Sequence, residues 1–243
     1  MLNIIKLQSS FFGLCALLPT ILHASLDESL ECLIEPSKVI EISSEVPGVI
    51  DSIAVERGSY VKKGQLIVKL KSGAEQSAVD LARARLDFSK RKSVRNEDLY
   101  QKQLISIHEK DEMETERLLA ELELDGAERK LSMRAINSPI NGIVLKRNHS
   151  TGEYVTTDPI LTVVSINPLY VEVIAPLNLL GTVKPGMKAK VFTDFPVKGE
   201  YTGKVTIVDK VVDAASGTFG IRVRLANRGN KIPAGIKCQV SFE

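Results

Sequence analysis

The residues able to do chemistry in this sequence are few and scattered. Of three histidines, His23 sits in an apolar N-terminal stretch, and His108 and His149 stand apart. Neither has a neighbouring cysteine or carboxylate cluster that would build a metal centre or activate a nucleophile. Catalysis is therefore not indicated, and no cofactor is expected. Of three cysteines, Cys15 lies in the same apolar stretch and follows Leu14, where lipid attachment would require a small residue. Cys32 and Cys238 lie near opposite ends of the chain. Two readings stay open for them: a disulfide in an oxidising compartment, which would stabilise by roughly 5 kcal/mol through loop closure, or two separate buried thiols.

Composition narrows the partners. The 243 residues are 44% hydrophobic and 26% charged, with a net charge of +2, 5% aromatics and no tryptophan. That is ordinary globular usage. Charge and aromatics both argue against nucleic-acid binding, because a polyanion needs a basic surface and bases need stacking platforms. The first residues place Lys6 before an apolar core, FFGLCALLPTIL, and a small-residue exit, HAS. This pattern predicts a secretory signal peptide over residues 1–24, since the core is short of the roughly 20 residues of a spanning helix.

The stretch PGVIDSIAVERGSYVKKGQLIVKL, from Pro47, returns after a long charged interval as NGIVLKRNHSTGEYVTTDPILTV, from Asn141. Gly48 matches Gly142, Gly58 matches Gly152, Tyr60 matches Tyr154, Val61 matches Val155 and Leu66 matches Ile160, all at one offset. A constant offset without gaps marks a repeated structural unit. Each copy alternates short β-branched runs with glycine turns, and one copy alone would leave an apolar face bare. Residues 41–72 and 137–166 are thus expected to form one sandwich of two matching halves. It resembles a lipoyl or biotinyl carrier domain, which is one alternative function. In carriers the halves meet at a tight turn bearing a modified lysine. Here about 65 residues replace that turn, and Lys69 and Lys71 read as solvated strand-end lysines.

The insertion, residues 73–136, contains no proline before Pro139 and two Ser-x-x-Glu starts, Ser72 to Glu75 and Ser106 to Glu109. In this pattern the serine hydroxyl accepts from a first-turn amide while the glutamate reaches back. Two helices follow, Gly73–Leu104 and Ile107–Ala135, each about 45 Å long and antiparallel because the connection is short. Met113, Ala120, Leu124, Ala127 and Leu131 have coiled-coil spacing, as do Ala74, Ala78, Leu81 and Phe88 more loosely. Arg83, Arg85, Lys90, Arg91, Lys92 and Arg95 on the first helix oppose Glu109, Asp111, Glu112, Glu114, Glu116, Glu121 and Glu123 on the second. Gly126 is expected to weaken the second helix at one point.

The whole resembles the periplasmic adaptor (membrane fusion protein) family of tripartite efflux pumps. A split lipoyl-like unit behind a signal peptide is followed by PLYVEVIAPLNLLGTVKPGMKAKVF and YTGKVTIVDKVVDAASGTFGIRVRLANRGNKIPAGIKCQV, which are similar to the β-barrel of that family. The resemblance implies a mainly β, elongated protein. A lipoyl-like barrel-sandwich hybrid is split by an antiparallel coiled-coil hairpin, with a β-barrel built from residues 26–40 and 167–243. It implies periplasmic localisation, an inner-membrane transporter of RND type (with an ABC-type exporter as the alternative), a TolC-like outer-membrane channel and self-association into a hexameric ring. RNEDLYQKQLIS supplies Arg95, Leu99 and Ser106 at the spacing of the family's channel-docking motif. Two features depart from the family pattern. The sequence ends at Glu243 without a further membrane-proximal domain, and Gly217-Thr218 stands where Arg-Thr is usual.

Overall fold

The computed structural model describes residues 29–243; the expected leader and Cys15 lie outside the described residues. The strands are β1 (Leu30–Ile42), β2 (Gly48–Ile53), β3 (Tyr60–Val61), β4 (Leu66–Leu70), β5 (Ala135–Asn137), β6 (Gly142–Arg147), β7 (Tyr154–Val155) and β8 (Leu161–Pro176). They continue as β9 (Lys188–Thr193), β10 (Gly199–Val208), β11 (Thr218–Leu225) and β12 (Lys237–Phe242). Between β4 and β5 lie α1 (Gly73–Gln101) and α2 (Ile107–Ser132).

The two sequence repeats interlock. β2 of the first half pairs with β7 of the second through Gly48↔Val155 and Val49↔Tyr154, while β3 pairs with β6 through Val61↔Gly142 and Tyr60↔Ile143. Each contact is the other shifted by the repeat offset. The hydrogen bonds obey the same rule: Gly58 N–H donates to Val144 O and Gly152 N–H to Ile50 O, at 2.8 and 2.9 Å. Both turn glycines have positive φ, +88° and +91°, a region that disfavours any side chain. Val61 and Val155 are buried together with Ile50, Val144, Leu161 and Val163 in one apolar cluster. The symmetry fails at its last pair, where Leu66 is exposed and Ile160 fully buried.

β1, β12, β9, β10, β11 and β8 form a closed barrel, sealed by β1–β8 pairing. Alternate residues such as Phe219, Ile221, Val223 and Leu225 point into a second apolar cluster, as strand geometry requires. β1 and β8 are long enough to serve both clusters. Cys32–Ile34 and Val171–Val173 line the barrel, whereas Lys38–Ile42 and Leu161–Ser165 pair beside the interlocked halves.

The helices differ from expectation in three ways. They end earlier, at Gln101 and Ser132, because Gln103 adopts φ +59° and Ala135 is drawn into β5. Ser106 and Glu109 form the reciprocal cap, but Ser72 makes no side-chain cap bond. Its expected partner Glu75 instead binds Arg134 Nη2 at 2.6 Å, while Arg134 Nη1 donates to Pro47 O at 2.8 Å. The α1 seam is also shifted. Val79, Ala82, Leu86 and Ser89 are buried, whereas Leu81 and Phe88 are 63% and 54% exposed. The buried set keeps three-four spacing, and only this phase lets Arg83 reach Glu128 and Arg85 reach Glu123 across the pair, at 3.0 and 2.9 Å. The α2 seam is as expected, with Ala120 buried and Met113, Leu124, Ala127 and Leu131 partly so.

Two glycines test this packing in opposite senses. A Cβ on Gly142 would lie 2.3 Å from Val164 O, so Gly142→Ala should destabilise by about 1–3 kcal/mol. A Cβ on Gly126, inside α2, would meet nothing within 4 Å, so Gly126→Ala should stabilise by up to about 1 kcal/mol. Denaturant unfolding of both variants checks the pair.

Candidate functional site

The end of the helix pair farthest from the strands is a short turn. After Gln101 the chain tightens through Gln103 N–H to Tyr100 O (2.8 Å) and Leu104 N–H to Leu99 O (2.9 Å). Ser106 then opens α2. Its Oγ accepts from Glu109 N–H at 3.2 Å and donates to Glu109 Oε2 at 2.9 Å, and its own N–H donates to the same carboxylate at 2.8 Å. Those bonds hold the Glu109 carboxyl below the usual carboxylate range, the Ser106 backbone N–H being the largest cause. Arg95 is exposed and has no ion-pair partner among the described residues. Leu99, 37% exposed, lies off the buried seam.

Sequence reasoning missed three other apolar side chains here: Val94, Leu104 and Ile107 are all more than half exposed. Leu104 and Ile107 flank the Ser106 cap, and that adjacency in sequence is the signal that could have found them. The turn thus presents exposed aliphatic surface beside an uncompensated guanidinium and a hydroxyl already committed to a cap.

Away from the turn, the seam residues Val79, Ala82 and Leu86 face the Ala120, Leu124 and Ala127 stretch. Nearer the turn the same heptad positions carry Ser89, Ser93, Asn96 and Tyr100 on α1, and Lys110, Met113 and Arg117 on α2. Polar bonds replace apolar packing there. Lys92 binds Glu116 at 2.7 Å, Lys110 binds Glu97 at 2.9 Å, Lys110 Nζ lies 4.7 Å from the Tyr100 ring centre, and the Asn96 amide meets the Met113 sulfur. Hydrogen bonding to Lys110 holds the Glu97 carboxyl below its usual range and raises Lys110.

Elsewhere the candidate groups are dispersed. Where a carrier domain has its lysine turn, β4 runs into α1. Lys69 is an exposed mid-strand residue opposite Ser52 and Ala135, and the Lys71 backbone N–H binds Val49 O. His149 Nδ1 contacts Glu153 at 2.8 Å, and no cluster of three metal-ligating side chains occurs among the described residues. Cys32 and Cys238 are cross-strand partners on β1 and β12, 4.9 Å apart at Cα with their sulfurs facing each other at bonding distance. Gly217 has φ +64°, a conformation in which a side chain would be strained.

This arrangement of interlocked halves, inserted helices and barrel has known relatives. Residues 38–165, just over half of the chain, match the family described as CzcB-like, barrel-sandwich hybrid domain. The chain belongs to this family. It is 28% identical over 139 residues to the antibiotic efflux pump periplasmic linker protein ArpA of Pseudomonas putida, covering 56% of this chain and 38% of that one. It is 25% identical to the membrane fusion protein MtrC of Neisseria gonorrhoeae, covering 86% of this chain and 58% of that one. The chain thus spans between about two fifths and three fifths of the length of these relatives. The fold is shared with a MacA-MexA chimeric protein containing the Pseudomonas aeruginosa MexA alpha-hairpin domain, at TM-score 0.75 and 20% identity over 89% of this chain and 78% of that one. It is also shared with the membrane fusion protein Spr0693 of Streptococcus pneumoniae R6, at TM-score 0.68 and 19% identity over 89% and 98%.

The polar half of the helix pair should respond to salt more than the apolar half. Exposed ion pairs are screened by salt. A carboxyl whose folded pKa is depressed, such as Glu97 or Glu109, contributes stability above its ordinary pKa and loses it as the pH falls below. Acid pH should lower protection against hydrogen exchange in both halves, through Glu97 and Glu109 in one and Glu75 and Asp125 in the other. High salt should lower it more over residues 89–117 than over residues 75–86 and 120–131, where an apolar seam backs the flanking Arg83–Glu128 and Arg85–Glu123 pairs. Equal change in both segments at high salt would refute the distinction.

Proposed function

We propose that this chain is an adaptor subunit of a tripartite efflux system, bridging an RND-type inner-membrane transporter and a TolC-like outer-membrane channel in the periplasm, with no catalytic activity of its own. The observation that carries this reading is a helix pair borne on a split barrel-sandwich unit and ending in an exposed aliphatic turn. We read the pair, residues 73–136, as an antiparallel coiled-coil hairpin, residues 41–72 with 137–166 as the lipoyl-like unit, and residues 26–40 with 167–243 as the barrel that meets the transporter. Relatives named as efflux pump linkers support it. Residues 1–24 direct export, and copies assemble side by side into a hexameric ring.

In this reading Leu99 enters a groove between channel helices while Arg95 donates hydrogen bonds at its rim and Ser106 Oγ, its proton held by Glu109, accepts there through its remaining lone pair, the usual arrangement of an apolar anchor ringed by polar groups. Site-specific crosslinking in envelope membranes tests it. Leu99→Asp should abolish crosslinking to the channel without shifting thermal unfolding; an unchanged yield would refute the role of Leu99. Ser106→Asn preserves a cap-forming side chain and so separates docking from folding. It should weaken crosslinking while leaving α2 intact. Mass spectrometry of proteins captured with the wild-type chain identifies the transporter, and capture of an ABC-type exporter in place of an RND pump would overturn that assignment.

The export reading places Cys32 and Cys238 in an oxidising compartment, and we propose that their bond forms there. Denatured, unreduced protein from envelope fractions should take up no alkylating agent at these positions, and Cys238→Ser should cost about 2–5 kcal/mol. Labelling of both thiols before reduction would refute the bond.

A further inference from the structure

One row of outward side chains on the barrel is written in a single charge. Lys188 on β9 stands opposite Lys204 on β10, and Lys204 opposite Arg224 on β11. Adjacent strands are about 4.8 Å apart, so three cations stand abreast within roughly 10 Å. Like charges directly opposite one another destabilise a sheet. The neighbouring cations on the same face are neutralised. Lys190, two residues along β9, binds Glu243 at 2.5 Å, and Arg222, two residues back on β11, binds Glu172 and lies over the Tyr170 ring. Tyr170 is the residue opposite Arg224, so its ring is already engaged. Glu243 donates its backbone N–H to Lys188 O, yet its carboxylate goes to Lys190. Lys188, Lys204 and Arg224 have no ion-pair partner among the described residues.

The row lines a groove of about 550 Å³ that also includes Thr202 and Asn167. Asn167 Oδ1 accepts the Asn227 N–H, which leaves its amide donors uncommitted. Two ammonium groups, a guanidinium fork, a hydroxyl and a primary amide thus face one cleft with donors in excess and no carboxylate. Guanidinium and ammonium groups in such an array suit the oxygens of phosphate groups.

We propose that this groove binds a ligand carrying two or more phosphate groups, either a free polyphosphorylated solute or the headgroups of an anionic phospholipid. The site is independent of the helix turn and of the adaptor reading.

Isothermal titration of the full chain with tripolyphosphate, and flotation with phosphatidylglycerol-containing vesicles, separate the two sources. Binding of either probe is expected to weaken by about ten- to a hundredfold in Lys204→Gln/Arg224→Gln, each lost charge-assisted bond contributing to the ratio. Ligand-free, the same variant should melt at a higher temperature than wild type, because it relieves the repulsion along the row. A shared dependence on these residues with tripolyphosphate assigns a soluble ligand, and with vesicles alone a headgroup. If neither probe binds, if binding is indifferent to the substitutions, or if polyglutamate of matched charge binds as tightly, the phosphate assignment is wrong.

Discussion

The structure depends on the reciprocal pairing of two half-units that cannot complete themselves. β3 and β7 are each two residues long and each find their partner only in the opposite half. Isolated two-stranded pairings of this size are marginal in water, so the halves are stable only when interlocked over a common apolar cluster. Interlocking also fixes the ends of the insertion. Lys69 sits opposite Ala135, and Leu70 N–H binds Arg134 O at 2.8 Å. Whatever lies between must leave and re-enter through one opening. A proline-free stretch with two helix starts meets that condition as an antiparallel pair, fastened at its root by Arg134 to Glu75 and Pro47.

Along that pair the nature of the packing changes. Near the strands the seam is aliphatic and is flanked by the Arg83–Glu128 and Arg85–Glu123 pairs; toward the turn the seam itself gives way to hydrogen bonds and exposed ion pairs that cost little to exchange for others. The docking surface we propose at the turn would sit on the part of the pair best able to adjust without disturbing the root. The same division explains how large side chains such as Leu81 and Phe88 remain exposed: the seam is selected by the joint fit of both helices and their flanking charges, and these residues lie outside it.

The barrel solves a different problem. Closure through β1 and β8 leaves no free edge around its circumference, and both strands continue past it to flank the interlocked halves, so the two apolar clusters share a continuous backbone. On its outer face Lys190 and Arg222 are matched by carboxylates, whereas Lys188, Lys204 and Arg224 stand abreast without an ion-pair partner among the described residues. Registers that bury Ala189, Val205 and Val223 oblige their neighbours to stand abreast, so the repulsion follows from burying the inward face.

Much of this was legible in the residues alone. The constant offset between Gly48 and Gly142 betrayed the two-fold unit because a repeated backbone path needs the same glycines, and the Ser106 cap was readable because its bonds span only three residues. Tertiary structure alone decided the rest. Glu75 abandoned Ser72 for Arg134, far along the chain, because the interlocked halves bring the helix ends together. The phase of the α1 seam was misread from hydrophobicity, since Ser89 is buried while Phe88 is not. The cationic row had no sequence signature, because cross-strand neighbours are chosen by register, and register belongs to the assembled sheet and to no single strand.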